Sequence, residues 1–294
     1  METLKNILLD GSVKKAILDT DTFNEIDDQF CLAYMLQASD KVDLLSVNAA
    51  PFFNPLSTSP KDGMEKSYNE IGKILKMCKI DKPYYRGSED YLKDEKTPQV
   101  SDAAKNIVDT ANAMNGEKLY VVAIGAITNV ASALLLDPSI KDKIVIIWLG
   151  GHALHINSTN EFNMIQDIAA ARVVFMSGAP LCMVPCIGMC TALTTTVPEL
   201  EAYIDGKNEI CTYLTENVRN CYKEEPFFRS RVIWDVAAAA VLINPEALYI
   251  DVTDKPEVTY DGVYKEGFGE KMLYVSHLWR DKVFNDLFTR LLTF

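Results

Sequence analysis

Four aspartates lie within ten residues near the start of the chain, at Asp19, Asp21, Asp27 and Asp28. Carboxylates this close raise one another's pKa and oppose folding unless a counter-charge joins them. A hard divalent cation supplies that charge, and Ca2+ suits a flexible loop of oxygen donors better than Mg2+, whereas Zn2+ favours nitrogen and sulfur. Helix capping is an alternative for Asp27 and Asp28, but it does not explain Asp19 and Asp21. The cluster therefore favours a metal or sugar site.

The acidic cluster lies between two apolar segments. Residues 15–18 form a short run typical of a buried strand, and residues 27–36 have the spacing of an amphipathic helix. The cluster is thus predicted to be a strand-to-helix loop. In open α/β sheets such loops lie at the carboxyl ends of the strands, where ligands bind.

Three further segments place polar residues just after an apolar strand. They contain Gly125, Thr128 and Asn129; Gly150, Gly151, Glu161, Asn163 and Asp167; and Trp234 with Asp235. Glycine at the first of these turns allows a tight bend that leaves backbone carbonyls free to face a ligand. Each polar residue alone could be only a cap or a turn residue. Their repetition at successive strand ends favours one shared site.

The rest of the chain alternates between strands and helices. The predicted strands are residues 42–49, 83–86, 119–124, 144–149 and 181–184, and the helices are 64–78, 101–115, 129–136 and 168–176. Beyond a capping box at Thr196 and Glu199, helices are predicted at 210–222, 233–243 and 281–292, with strands at 248–252, 257–260 and 272–275. This order predicts an α/β fold with a mostly parallel, open twisted sheet, helices on both faces (Rossmann-like) and a more helical C-terminal part. No linker divides the chain, so we expect one domain over residues 1–294.

Composition indicates which kind of protein this is and which binding partners it excludes. The chain has 294 residues, 48% of them hydrophobic, and a formal net charge of -12, so it is globular and lacks the basic surface that nucleic acids and anionic membranes require. Cys182, Cys186 and Cys190 are spaced by four, but the scarcity of histidine and the apolar neighbours favour buried free thiols over a metal site. The N-terminus does not resemble a signal peptide and no stretch is long enough to span a membrane, so we expect a cytoplasmic protein.

The four polar segments, taken in order, resemble the inosine-uridine nucleoside hydrolases. That family has an acidic loop D-x-D-P-G-x-D-D, a G-P-L-T-N turn, a G-G followed by E-F-N, and an aspartate in its C-terminal third. The matching segments here are Asp19-Thr20-Asp21 with Asp27-Asp28, Gly125-Ala126-Ile127-Thr128-Asn129, Gly150-Gly151 with Glu161-Phe162-Asn163, and Trp234-Asp235. Four motifs in the same order over residues 15–239 make the resemblance specific.

The resemblance implies a calcium ion held by Asp21, both oxygens of Asp28, the Thr128 carbonyl and Asp235, with Asp21 as general base. Its implied substrate contacts are Asp27, Glu161, Asn163 and Asp235 on the ribose and Trp234 on the base, with Asn54 and Asn157 or Asn160 as further candidates. Cleavage of an N-glycosidic bond builds positive charge on the sugar, which nearby carboxylates stabilise. Relatives with this pattern often form dimers or tetramers, so we expect a homodimer or homotetramer.

Three departures from the family pattern are visible. Residues 22–26 replace a shorter Pro-Gly loop, so Asn24 or Glu25 could join the site, whereas Ala126 in place of proline is a mild change. Trp234 stands where many members have a histidine that protonates the leaving base. Stacking on an indole contributes on the order of 1 kcal/mol and would favour a purine, although Trp234 could equally be a core aromatic.

The sequence therefore predicts a calcium-dependent hydrolase that splits ribonucleosides into ribose and free base, with purine nucleosides slightly favoured. One alternative is hydrolysis of another N-riboside, such as a modified nucleoside. A second is a non-catalytic, metal-dependent ribose or nucleoside-binding protein. Arg229 and Arg231 could form a flap over the base or simply face solvent.

Overall fold

The computed structural model describes residues 2–221 and 230–294. The helices are α1 (Glu2–Leu9), α2 (Asp28–Leu36), α3 (Pro60–Cys78), α4 (Asp102–Ala113), α5 (Thr128–Leu136), α6 (Phe162–Gln166), α7 (Ile168–Met176), α8 (Val197–Tyr203), α9 (Glu209–Cys221), α10 (Val236–Ile243) and α11 (Arg280–Leu291). The strands are β1 (Lys14–Thr20), β2 (Val42–Ala49), β3 (Tyr84–Tyr85), β4 (Leu119–Ala123), β5 (Ile144–Leu149), β6 (Leu181–Val184), β7 (Thr194–Thr195), β8 (Arg231–Val232), β9 (Leu248–Asp254), β10 (Glu257–Val258), β11 (Tyr264–Lys265) and β12 (Lys271–Leu278). Short 3-10 helices span Pro138–Asp142, Cys190–Ala192 and Pro245–Ala247.

Eight of the strands form one sheet in the order β3-β2-β1-β4-β5-β6-β12-β9. Every neighbouring pair is parallel except β12 and β9, which run antiparallel at one edge. The prediction of a mostly parallel α/β sheet is confirmed. The sheet order reverses beside β1, since β2 and β3 lie on one side of it and β4 to β6 on the other. Such a reversal opens a crevice at the carboxyl ends of the central strands, where ligands bind in this architecture.

The strands are continuous apolar runs because helices cover both faces of the sheet. In β1, Ala16 and Leu18 point into a core formed with α2, α10 and α11, whereas Ile17 points into the opposite core formed with α4, α5 and α7. All eight residues of α10 are buried, and four of them are the alanines 237–240. A helix buried on every side is held rigidly, and so is the residue that precedes it, Asp235.

Several boundaries differ from the predictions for local reasons. Helix α3 begins four residues before the predicted start because Ser59 Oγ accepts a hydrogen bond from the Asp62 N–H at 3.1 Å and Pro60 occupies the first turn. Helix α10 begins at Val236 instead of 233, because Arg231 and Val232 pair with β7 as strand β8. Helix α1 was not predicted, and residue 222 of the predicted helix 210–222 lies outside the described residues.

The predicted capping box of α8 is only half formed. Thr196 Oγ1 accepts from the Glu199 N–H at 3.4 Å, but the Glu199 carboxylate accepts from Thr195 and Arg280 instead of returning to the cap. All seven cysteines are free. Within the described residues, no helix combines the length and apolar character needed to cross a membrane.

Candidate active site

A cavity of about 250 Å³ opens at the carboxyl ends of the central parallel strands. It is lined by Asp21, Asn24, Glu25, Asp27, Asp28, Ile124, Leu149, His152, Asn160, Glu161, Phe162, Asn163, Cys186, Ile187, Trp234 and Asp235. They come from the segments that follow β1, β4 and β6, from the end of β5 with the segment after it, and from the turn before α10, so five distant stretches of chain meet at one place. Seven of the predicted site residues lie in this lining: Asp21, Asp27, Asp28, Glu161, Asn163, Trp234 and Asp235.

Two predicted site residues lie elsewhere. Thr128 is fully buried and its hydroxyl donates to Asp167 Oδ2 at 2.7 Å. Asn157 is exposed and does not line the cavity, whereas Asn160, its alternative, does. Asp167 also accepts from the backbone N–H of Leu92 at 2.9 Å and caps α7. It therefore connects the start of α5, the segment around Leu92 and α7.

The carboxylates group tightly. One oxygen from each of Asp27, Asp28 and Asp235 lies within 4.8 Å of the others, whereas Asp21 is outside that group. Both oxygens of Asp21 are buried and have no hydrogen-bond partner among the described residues. An all-oxygen set that includes an unpartnered buried carboxylate fits a hard divalent cation such as Ca2+.

Burial and mutual repulsion raise the pKa values of the clustered aspartates. Burial, followed by the charges of Asp28 and Asp27, raises the pKa of Asp21 well above its usual value, and burial with Asp27 and Asp28 does the same for Asp235. Burial raises the pKa of Asp28 to about 6, against the lowering effect of the Thr20 hydroxyl that donates to it. A bound cation would relieve this repulsion.

Capping does not account for these aspartates. Asp27 and Asp235 stand at the N-cap positions of α2 and α10, but neither side chain makes a capping hydrogen bond. Asp27 Oδ2 instead accepts from the backbone N–H of Trp234 at 3.0 Å. Asp19 does not line the cavity, and its Oδ2 accepts from Asn129 Nδ2 at 3.0 Å. Asp19 therefore links the end of β1 to α5 outside the cavity.

Glu161 is extensively hydrogen-bonded within the protein. Its carboxylate accepts from the backbone N–H groups of Gly151 at 2.8 Å, Asn163 at 2.9 Å and Met164 at 3.0 Å. These three donors occupy three of the four acceptor sites of a carboxylate. The local turn that was the alternative for Glu161 is thus present, while its contact with ribose remains a prediction.

Asn163 has a free acceptor. Its Nδ2 donates to the carbonyl of Ile124, just after β4, at 3.1 Å and to that of Leu149, the last residue of β5, at 3.0 Å. Both amide hydrogens are therefore used inside the protein. The remaining Oδ1 is the atom with which Asn163 can meet a ligand.

The role expected for Gly125 needs correction. Its carbonyl is not free for a ligand, because Trp148 Nε1 donates to it at 3.1 Å. Its backbone also avoids the left-handed region. The constraint is space, since a Cβ at Gly125 would lie 3.0 Å from both Cγ and Oδ1 of Asp21. Glycine is needed here so that the Asp21 carboxyl can lie against the β4 turn.

The longer first loop contributes two residues to the cavity. Asn24 is buried, and its Oδ1 accepts from Asn54 Nδ2 at 2.6 Å. Glu25 pairs with Arg231, which precedes Trp234. Arg231 therefore contacts the first loop, and Arg229, the other arginine of the suggested flap, lies outside the described residues. Trp234 is half-buried, so it packs partly against the core while lining the cavity.

Six lining residues were not assigned to the site from the sequence: Ile124, Leu149, His152, Phe162, Cys186 and Ile187. Cys186 and Ile187 follow β6, so the rule that ligands bind at strand ends would have found them had it been applied to residues 181–184. His152 directly follows the Gly150-Gly151 pair. It lies outside the motif in which the family carries a histidine, so the resemblance does not point to it.

The chain was compared with known proteins. A family profile described as "Inosine-uridine preferring nucleoside hydrolase" matches residues 16–276. A relative from Escherichia coli named "Pyrimidine-specific ribonucleoside hydrolase RihB" is 31% identical over 154 residues, which are 50% of this chain and 48% of that protein. The chain thus aligns with about half the length of that curated relative.

Solved structures share the fold. A structure of "Purine-Preferring Ribonucleoside Hydrolase from Gardnerella vaginalis" has a TM-score of 0.76 at 21% identity and covers 95% of this chain and 98% of its own. The structure "Plant nucleoside hydrolase - PpNRh1 enzyme" also has a TM-score of 0.76, at 19% identity, and covers 95% of this chain and 99% of its own. With the family profile matching most of its length, the chain belongs to the inosine-uridine preferring nucleoside hydrolase family.

Proposed function

We propose that this protein hydrolyses the N-glycosidic bond of ribonucleosides to ribose and free base, with Ca2+ as cofactor and purine nucleosides slightly favoured. The observation that carries the proposal is the convergence of Asp21, Asp27, Asp28 and Asp235 around one cavity. A positively charged sugar forms during this reaction, and buried carboxylates stabilise such a charge where water is excluded.

The proposed calcium ligands are Asp21, Asp28, Asp235 and the Thr128 carbonyl. The close oxygens of Asp28 and Asp235 support two of them, and the unpartnered carboxylate of Asp21 supports a third. The Thr128 carbonyl is included as a ligand only because the family resemblance implies it. A cation bound there would hold the ribose hydroxyls and make a water molecule more acidic.

We assign Asp21 as the general base that takes a proton from the attacking water. Its oxygens accept no hydrogen bond from a described residue, so a lone pair is available. The close fit of Gly125 fixes the direction of the carboxyl group.

The ribose would be bound by Asp27, Asp235, Asn163 and Glu161, with Asn157 as a further predicted contact. Asn163 Oδ1 and the Asp27 carboxylate are the best supported of these, because both line the cavity and retain free acceptor sites. Glu161 acts mainly by holding the Gly151 loop and Asn163 in place. An exposed Asn157 would have to move to reach the sugar.

Trp234 would stack on the base, which favours the larger purine ring. The E. coli relative is named for pyrimidine specificity, so base preference is the part of the proposal that most needs measurement. No histidine precedes Asp235, and we propose that the departing base takes its proton from solvent. The cytoplasmic location and the homodimeric or homotetrameric assembly remain predictions from the sequence.

The test is base release from inosine, guanosine and uridine, with and without a chelator, for the wild type and Asp21→Asn. We expect hydrolysis that stops on chelation, returns with Ca2+, and falls by roughly a hundredfold or more in Asp21→Asn, as for loss of a general base. Chelator-resistant turnover would overturn the calcium assignment. Undiminished activity in Asp21→Asn would overturn the assignment of the base.

A second candidate is hydrolysis of a modified N-riboside. It is favoured by Asn24 and Glu25, which the longer first loop adds to the cavity lining. A panel of base-modified nucleosides at fixed Ca2+ separates the two candidates. Turnover of a modified substrate well above that of inosine, guanosine and uridine would select the second.

A further inference from the structure

His152 is firmly held at the cavity wall. It is 9% exposed and lines the cavity beside Asn160. Its own carbonyl accepts from the Tyr264 hydroxyl at 3.3 Å, and the next residue, Ala153, donates its N–H to the Ile187 carbonyl at 3.0 Å. A side chain on so constrained a backbone has a defined direction.

The hydrogen bonds of His152 define which ring nitrogen carries the proton. Nε2 lies 3.1 Å from the carbonyl oxygen of Asn160, and a carbonyl only accepts, so Nε2 must be the N–H donor. Burial lowers the pKa of His152, which keeps the ring neutral near pH 7 with its single proton on Nε2. Nδ1 is then a lone-pair acceptor.

The acceptor on Nδ1 is unmatched. Nδ1 is buried and has no hydrogen-bond partner in residues 2–221 or 230–294. A buried acceptor without a donor is unfavourable, and His152 belongs to the cavity lining, so a bound ligand is a candidate source of the missing donor. The mechanism proposed above does not use this atom.

We infer that His152 Nδ1 accepts a hydrogen bond from an O–H or N–H group of the bound nucleoside, which makes His152 a specificity-determining residue. The inference rests on the proposed function. Because the acidic residues and the proposed cation are assigned to ribose hydroxyls, we take the donor to be either the 5′-hydroxyl of the ribose or an N–H on the edge of the base. Both sources satisfy the same acceptor, and they can be distinguished by removing one donor at a time from the substrate.

The experiment compares kcat/KM for inosine, 5′-deoxyinosine and 1-methylinosine. The last two lack the 5′-hydroxyl and the base N1–H, respectively. Three variants probe His152. His152→Asn retains an amide oxygen near the position of Nδ1, His152→Gln retains an amide N–H near Nε2 but no acceptor at Nδ1, and His152→Leu removes both groups. His155→Leu is the control, because His155 is exposed on the same loop and does not line the cavity.

We expect the wild type to lose roughly three- to tenfold in kcat/KM on one of the two analogues, the effect of one neutral hydrogen bond. His152→Leu and His152→Gln should show that loss on inosine and no additional loss on that analogue, whereas His152→Asn should lose less than His152→Gln, and His155→Leu should stay close to wild type. The analogue that fails to distinguish wild type from His152→Leu identifies the donor.

An equal loss by His152→Leu on all three substrates would overturn the inference, because a purely structural role lowers activity whatever the substrate. Wild-type kinetics on inosine in His152→Leu would overturn it as well. In both results the wild type still hydrolyses inosine, so the proposed function stands. Absence of hydrolysis of any nucleoside by the wild type would instead overturn the proposed function, and this inference with it.

Discussion

The backbone N–H of Trp234 donates to Asp27 Oδ2 across 3.0 Å, joining two residues that are 207 positions apart in the sequence. The Glu25–Arg231 ion pair makes a second link between the same two segments. Together they hold the turn before α10 against the first acidic loop. The aromatic side chain that would meet the base is thereby placed beside a carboxylate that would meet the sugar.

Trp234→Leu should reduce kcat/KM for inosine about fivefold more than for uridine. The reason is that the lost stacking energy of ~1 kcal/mol falls mainly on the larger ring. Steady-state kinetics with both nucleosides measure this ratio. Trp279→Leu is the control, since Trp279 is half exposed and away from the cavity lining. An unchanged inosine-to-uridine ratio would make Trp234 a core residue only.

Gly125→Ala should inactivate the protein without preventing folding. The new Cβ would lie 3.0 Å from Asp21 Oδ1 and 3.1 Å from Ala50 Cβ, so the Asp21 carboxyl must move. We expect kcat to fall by more than about tenfold, and overpacking to cost about 1–3 kcal/mol of folding stability. Activity assays and thermal melts measure the two effects. If the assignment is right, combining Gly125→Ala with Asp21→Asn adds little further loss, and fully additive losses would contradict it.

The metal-free protein should become less stable as pH rises from 5 to 8. Burial raises the folded-state pKa of Asp19 to about 7 and that of Asp28 to about 6, both above the ordinary value of 3.8 for an aspartate. A raised folded-state pKa gives stability that is complete below the unfolded-state value and is lost as pH rises through the folded-state value. Thermal melts in chelator across this range should therefore show a falling Tm.

Calcium should reverse that trend, because the cation binds the ionised carboxylates and raises Tm more at pH 8 than at pH 5. Asp28→Asn removes one of the titrating groups and should reduce both the pH dependence and the response to Ca2+. A Tm in chelator that rises steadily from pH 5 to 8 would show that the buried acids do not dominate the pH dependence.

Asn163→Asp should lower both folding stability and kcat/KM, although the two side chains have nearly the same shape. The wild-type amide donates to two carbonyls, and an aspartate there would place negative charge against both. Leaving these acceptors unpaired and repelled should cost about 2 kcal/mol or more of stability and lower kcat/KM by at least tenfold. Asn285→Asp, exposed on α11, controls for the charge change. Equal stability of the two variants would argue against the role of Nδ2.

The sequence predicted the parallel sheet and the meeting of its strand ends, because apolar runs and acidic loops are local signals. Seven site residues come together as a result. It could not predict that the Glu161 carboxylate accepts from three backbone N–H groups, or that Gly125 is required by the lack of room for a Cβ and not by its dihedral angles. Those facts depend on how separate loops pack, and His152 lacked any local pattern that would have marked it.

Helix α10 and the 22–26 loop differ in how many substitutions they can accept. The side chains of the four consecutive alanines of α10 are fully buried against neighbouring elements, so larger residues have no room there. Asp235 directly precedes this helix and is therefore held in a fixed position. The 22–26 loop, by contrast, already differs in length and composition from the family pattern. Evolution of new substrate choice in this lineage is therefore expected to proceed by remodelling the loop, while the alanine helix stays conserved.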